Sequence, residues 1–304
     1  QEATQGGLCE QFTKCNEKVL LRAVYRTNDV EHLGFLNRIR WKQPTREQLL
    51  EYFGDRHLRC HLRRAVALGM SLSLEQGHPF IWLCHNNAGA SEVCEAALEE
   101  VGITPEELEN GYCCDPTSKS RLRIVAKPGV LVRLTRNEDK ARGFVNGAVG
   151  MVVTVLAGNA VFTVRLLESG NMVLVCPMEE DGQRFLPCCY GYATTIRRVQ
   201  GATLHLGCIY FDQRYHHAGR GYGYVAVSRF KTRAGVYLWG KLRRTDFLPV
   251  GPEKEDEVLE RGYHSLDSDA ENGAGMEYAY DDRDNGLGGP ADEGLPFVVS
   301  SDFV

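Results

Sequence analysis

The 304 residues are 43% hydrophobic and 25% charged, ordinary proportions for a globular chain with room for one large domain or two smaller ones. The formal net charge of −5 hides an asymmetry: residues 251–304 hold 15 Asp and Glu against 3 Lys and Arg, a net of −12, so the remaining body is net +7 and suits a polyanionic partner. No long apolar run is present, which argues against membrane spans. The 11 cysteines contain no C-x-x-C and include two adjacent pairs, Cys113-Cys114 and Cys188-Cys189, which argues against a zinc ribbon or a secreted disulfide scaffold and for reduced thiols inside a cell. The chain opens on Gln1 rather than Met, so we expect it to begin partway along a longer protein.

Residues 1–17 are polar and irregular. The run Val19-Leu20-Leu21 and Tyr25-Arg26 lead into Val30, Leu33, Leu36 and Ile39, whose spacing predicts a helix with those residues inward. Thr45 with Gln48 predicts a capping box that opens a second helix bearing Leu49, Leu50 and Phe53. Phe80–Cys84 reads as a buried strand. A polar turn with Asn86 and Asn87 follows it, then a helix from Ser91 to about Glu100. Those asparagines suit either contact with a ligand or an Asx turn that caps the helix. Thr104-Pro105 opens one more short helix.

From Leu122 the period shortens. Leu122–Ala126, Val130–Thr135, Phe144-Val145, Val149–Leu156, Val161–Leu167 and Met172–Val175 read as β runs, and Asn146-Gly147 is the clearest turn between them. About sixty residues of closely spaced strands predict a small barrel. Beyond Pro249 the composition turns to Gly, Asp, Glu and Ser, the signature of a disordered tail.

The densest polar chemistry lies at 193–229. Thr194, Thr195, Arg197, Arg198, Gln200, Gly201 and Thr203 put hydroxyls, guanidinium groups, an amide and a glycine into ten residues, a set suited to phosphates and to close backbone approach. Cys208–Phe211, bounded by Gly207 and Asp212, reads as a buried strand. Tyr224-Val225-Ala226-Val227-Ser228-Arg229 follows three spaced glycines and ends on an arginine.

The order A-x-T-I-x-x-x-Q-G-x-T, strand, Y-V-A-x-S-R resembles the fifth and sixth motifs of superfamily-one DNA helicases, in the Pif-type and RecD-like branch. Residues 19–41 resemble that family's fourth-motif region, and 129–153 resemble its Src-homology-three-like insertion. The resemblance implies an α/β chain: a second RecA-like parallel-sheet domain (18–126 and 189–250) interrupted by a small Src-homology-three-like β-barrel (127–188), with an acidic disordered tail (251–304). It also implies ATP-driven movement on single-stranded DNA and unwinding of duplex at junctions. ATP and Mg²⁺ would be held mainly by an N-terminal RecA-like domain of the same full-length protein. Family roles in repair, recombination and telomere maintenance place such proteins in the nucleus or mitochondrion.

By the same resemblance Arg229 is an arginine finger and Arg26 touches the same γ-phosphate. Gln200 and Gly201 couple nucleotide to DNA, and Asn86, Asn87, Thr195, Arg197, Arg198 and Thr203 line the strand channel. Two departures bear on this. Arg197-Arg198-Val199 stands where the family has His-Lys-Ser, and no G-x-x-x-x-G-K-[ST] occurs in the 304 residues. They keep open a remnant of mobile-element origin that binds DNA or a protein and hydrolyses nothing. A RecD-like nuclease-complex subunit shares the same motifs.

Overall fold

The computed structural model describes residues 27–156, 160–212, 214 and 217–251; Arg26, the segment 1–17 and the tail beyond Gly251 lie outside them. Two helices come first, α1 (Val30–Trp41) and α2 (Arg46–Phe53). Asp29 caps α1 by accepting from the His32 amide at 2.9 Å, and Thr45 and Gln48 form the expected reciprocal box on α2. The inward face of α1 differs from the predicted one. Val30 is 81% exposed because it occupies the first helical position, whereas His32, Phe35, Leu36 and Ile39 are buried. Burial of His32 is tolerated because both ring nitrogens are bonded, Nδ1 with the Tyr52 hydroxyl at 2.7 Å and Nε2 with the Phe230 carbonyl at 3.1 Å.

Next come β1 (His57–Leu58), α3 (Leu62–Gln76), β2 (Phe80–Cys84), α4 (Asn87–Glu100) and α5 (Pro105–Glu109). The 15-residue α3 gave no clear signal in the sequence. Its buried residues are the small Ala65, Val66 and Gly69, and a Cβ on Gly69 would stand 2.7 Å from the Phe80 ring. Helix α4 starts four residues before the expected Ser91, because Asn86 rather than Ser91 caps it.

Residues 131–190 are antiparallel. Strands β3 (Leu131–Leu134), β4 (Val149–Val155), β5 (Phe162–Leu166) and β6 (Met172–Val175) precede a separate hairpin, β7 (Met178–Glu180) and β8 (Gln183–Phe185), and then β9 (Cys188–Tyr190). The sheet order is β6-β5-β4-β3-β9. Two predicted strands did not form: Leu122–Ala126 contributes one isolated bridge, Ile124 to Tyr112, and Phe144-Val145 another, Phe144 to Asp139. Each has a single pairing residue, too little to extend a ladder. The Asn146-Gly147 turn is present, with φ +96° at Gly147.

Strands β10 (Ala193–Thr195), β11 (Leu206–Tyr210) and β12 (Val236–Trp239), with helix α6 (Tyr222–Val227) between the last two, complete a parallel sheet of order β1-β12-β11-β2-β10. The antiparallel sheet therefore falls in sequence between β2 and β10, which pair directly. Alternate residues of β2 serve opposite cores. Phe80, Trp82 and Cys84 pack with residues of α3, α4 and the antiparallel sheet, while Ile81 and Leu83 pack with residues of α1, α2 and α6. Burial on both faces explains why the strands are continuous apolar runs rather than alternating ones. Strand β11 begins two residues before the expected Cys208 and includes Gly207, where a Cβ would lie 2.0 Å from the Ile81 carbonyl oxygen.

Candidate nucleic-acid and nucleotide-coupling site

A parallel sheet ends all its strands at one edge, and the segments that leave that edge are free to carry ligand-binding groups. Here Cys84 of β2 is in register with Thr195 of β10 on one side and Tyr210 of β11 on the other. His85-Asn86-Asn87, Ile196-Arg197-Arg198 and Phe211-Asp212 therefore leave the sheet side by side. Five of the residues expected to line a strand channel, Asn86, Asn87, Thr195, Arg197 and Arg198, are gathered at this carboxyl edge.

Their side chains are not equally available. Asn86 caps α4, its Oδ1 accepting from the Gly89 amide at 2.8 Å, while its Nδ2 donates to Asp212 at 2.8 Å. Of the two sequence readings of Asn86, the cap is the one its bonds fit. Asn87, the first residue of α4, is exposed. Arg197 is exposed, donates through Nε to the Tyr222 hydroxyl and holds its guanidinium carbon 5.6 Å from that ring's centre. The Tyr222 ring in turn lies 5.3 Å from that of His85. Arg198 is exposed and donates to the Thr117 carbonyl at 3.1 Å. The turn it touches is pinned by Asp115, a fully buried carboxylate that accepts from Thr117, Thr135 and Arg136 at 2.6–2.8 Å. Burial pushes the Asp115 pKa up, but those bonds outweigh it and hold the carboxyl below its usual range.

Asp212 organises the middle of the edge, and sequence reasoning treated it only as a strand boundary. It accepts from Arg214 Nη2 at 2.6 Å as well as from Asn86, and the Arg214 bonds hold its pKa well below the normal carboxylate value. Arg214 also pairs with Glu92 at 3.1 Å, and Glu92 accepts from the Tyr210 hydroxyl at 3.1 Å. The available signal was position: an acid just past a parallel strand. Tyr222 and His85 were likewise missed, because their partner Arg197 lies 25 residues from one and more than 100 from the other.

Arg229 lies elsewhere. Its backbone carbonyl accepts from the Leu204 amide at 2.8 Å, and Lys231 N–H donates to the Leu204 carbonyl at 2.9 Å. Leu204 stands two residues before β11, so Arg229 is beside the amino end of that strand, with Thr203 next to it in the chain and exposed. The half-buried guanidinium folds back on α6, with Nε on the Val225 carbonyl at 3.1 Å and Nη2 on Ser228 Oγ at 2.9 Å. The buried His32 bonds the carbonyl of the very next residue, Phe230, and so ties this stretch to α1.

Two covalent routes join the edges. Residues 196–205 cross from β10 to the amino end of β11 and carry Gln200 and Gly201, both exposed, with φ +95° at Gly201. Helix α6 runs from Tyr222, against Arg197 and His85, to Val227, two residues short of Arg229.

Solved helicase structures share the fold, two of them as follows. A Pif1 helicase from Bacteroides in complex with ADP-AlF3 and ssDNA superposes with a TM-score of 0.55 at 20% identity, covering 80% of this chain and 55% of that one. The Pif1 helicase from Candida albicans superposes with a TM-score of 0.56 at 16% identity, covering 84% and 63%. The chain therefore has the fold of a Pif1-helicase region and spans less than two thirds of the length of either structure. No protein-family model and no curated protein matches it.

Proposed function

We propose that the chain is the second motor half of a Pif-type, ATP-dependent DNA helicase that moves along single-stranded DNA and opens duplex at junctions. The observation that carries this reading is the pairing of two edges in a Pif1-like fold: cations at the carboxyl edge, and Arg229 at the other edge, joined by the 196–205 crossover and α6. Residues 18–126 and 189–250 then form a RecA-like domain, 127–188 a Src-homology-three-like barrel and 251–304 an acidic tail. An intracellular setting, nuclear or mitochondrial, goes with it.

On this reading Arg197 and Arg198 meet phosphates of the strand with Asn87 and Thr195, contacts that are sequence-blind and salt-sensitive, while Thr203 stands at the other edge, near Arg229. Asn86 positions this edge through its cap and Asp212 rather than through free donors. Gln200 and Gly201 relay strand position to the nucleotide. Arg229 exchanges its bonds to Val225 and Ser228 for the γ-phosphate when the two motor domains close, with Arg26 as a second contact. ATP itself is held mainly by a first RecA-like domain, since no phosphate-cradling G-x-x-x-x-G-K-[ST] occurs in these 304 residues. Mg²⁺ would be held with ATP by that first domain.

The test uses the protein completed by its P-loop domain. Arg229→Ala lowers kcat by about 10³-fold, the contribution of an arginine finger, and leaves single-strand affinity unchanged. Arg229→Lys does not restore turnover, because it lacks the planar forked donor. Lost strand binding with full turnover would overturn the assignment. A second reading, a remnant without ATPase activity, is favoured by the internal bonds of Arg197 and Arg198 and by their departure from His-Lys-Ser. DNA-stimulated hydrolysis by the complete protein eliminates it.

A further inference from the structure

Outside the residues discussed so far, three cations stand close together in 119–123, Lys-Ser-Arg-Leu-Arg. Lys119, Arg121 and Arg123 are exposed, while Ser120 and Leu122 between them are half-buried and Ile124 is buried. The three exposed cations alternate with two less exposed residues, and the segment is bent by two side-chain turns, the Ser120 amide donating to the Ser118 hydroxyl at 3.1 Å and the Leu122 amide to the Ser120 hydroxyl at 3.3 Å. The Lys119 ammonium and the Arg121 guanidinium form no ion pair or hydrogen bond among the described residues, and Arg123 donates from one nitrogen to the Gly111 carbonyl at 2.9 Å.

The segment is held against the carboxyl edge at two points. Lys119, Ser120 and Leu122 share the wall of a cavity of about 30 Å³ with Asn87 and Ser91 of α4 and with Arg133. Two residues before Lys119, the Thr117 carbonyl accepts from Arg198. The turn between is fixed by buried Asp115, and Lys119 itself takes a left-handed conformation, φ +56°, rarely adopted by lysine.

We infer that Lys119, Arg121 and Arg123 form a phosphate track that extends the single-stranded DNA path from Asn87 and Arg198 towards the antiparallel sheet. The inference rests on the proposed function and adds to it a second stretch of chain, outside both helicase-like motifs, that the strand follows.

The experiment measures binding of a fluorescent oligothymidylate to the full 304-residue chain across a salt series. The chain is compared with Lys119→Ala/Arg121→Ala and with a control pair of equal charge, Arg46→Ala/Arg165→Ala, on α2 and β5. All four side chains are exposed, so thermal unfolding of the variants should match the parent. Loss of two phosphate contacts lowers the slope of log affinity against log salt by about 1.4 and weakens binding at low salt by roughly fivefold or more, while the control keeps the parental slope. Equal slopes for parent and track variant overturn the track and leave the helicase reading standing. An equal loss in the control also overturns it, since net charge alone then explains the effect. No binding by the parent chain overturns the proposed function, and the track with it.

Discussion

At the scale of single residues, the carboxyl edge depends on Asp212 more than on any of its cations. One buried carboxylate accepts from Asn86, which caps α4, and from Arg214, which is also tied to Glu92 on α4. Replacing it with alanine leaves the Asn86 amide and the guanidinium without their shared acceptor. Asp212→Ala should therefore lower unfolding stability by about 2 kcal/mol, the scale of hydrogen bonds to a charged group, and Asp212→Asn by less, since a carbonyl oxygen remains. Urea midpoints for the two variants check this, and an alanine variant as stable as the parent would remove Asp212 from its central place. The pH dependence has a definite sign. The folded-state pKa lies below the unfolded value of 3.8, so the carboxylate's contribution is present above that pH and is lost as pH falls through the folded value. Asp212→Asn should flatten the acid limb of the stability profile.

At the scale of elements, what could be read from the sequence follows from how local each cause is. The capping boxes Thr45/Gln48 and Thr104/Glu107 act within four residues and were legible, as was β2, whose five apolar residues are all buried. Helix α3 was not, because two of its three buried residues are the small Ala65 and Gly69 while Leu68 and Leu74 are exposed. Strand β10 reads Ala-Thr-Thr and is a strand only because β2 pairs with it. The Asn86–Asp212 bond joins residues 126 apart and no spacing rule finds it. The edge residues at 195–198 were legible as chemistry, while their separation from Arg229 across the sheet required the register of β11. Strand β11 also yields the sharpest element-level expectation. It lies between β2 and β12, and a methyl at Gly207 would meet the Ile81 carbonyl oxygen at 2.0 Å, with backbone on both sides. Gly207→Ala should cost about 3 kcal/mol, the upper range of overpacking penalties, whereas Gly34→Ala on α1, where nothing stands within 4 Å, should be neutral or slightly stabilising. Thermal denaturation of the pair tests the close approach directly.

At the scale of the whole chain, the distribution of charge bears on the proposed binding of a nucleic acid at the cationic edge. A body of net +7 is joined to a segment of net −12, and the two are covalently linked. A linked polyanion acts at an effective concentration set by its tether and competes for the same cations as a strand's phosphates. Competition of this kind is electrostatic and non-specific, so it should fade as salt shortens the Debye length from about 30 Å at 0.01 M to about 8 Å at 0.15 M. Deleting residues 252–304 should therefore strengthen oligothymidylate binding at low salt, by a margin that shrinks as salt rises. On this competition the shortened chain should also show the steeper salt slope. Adding the excised segment as a separate peptide should restore little of the inhibition at equimolar concentration, since the tether supplies most of the effect. Equal affinities for full and shortened chains at low salt would refute the competition, and a margin that persists at high salt would point instead to contacts made by particular tail residues.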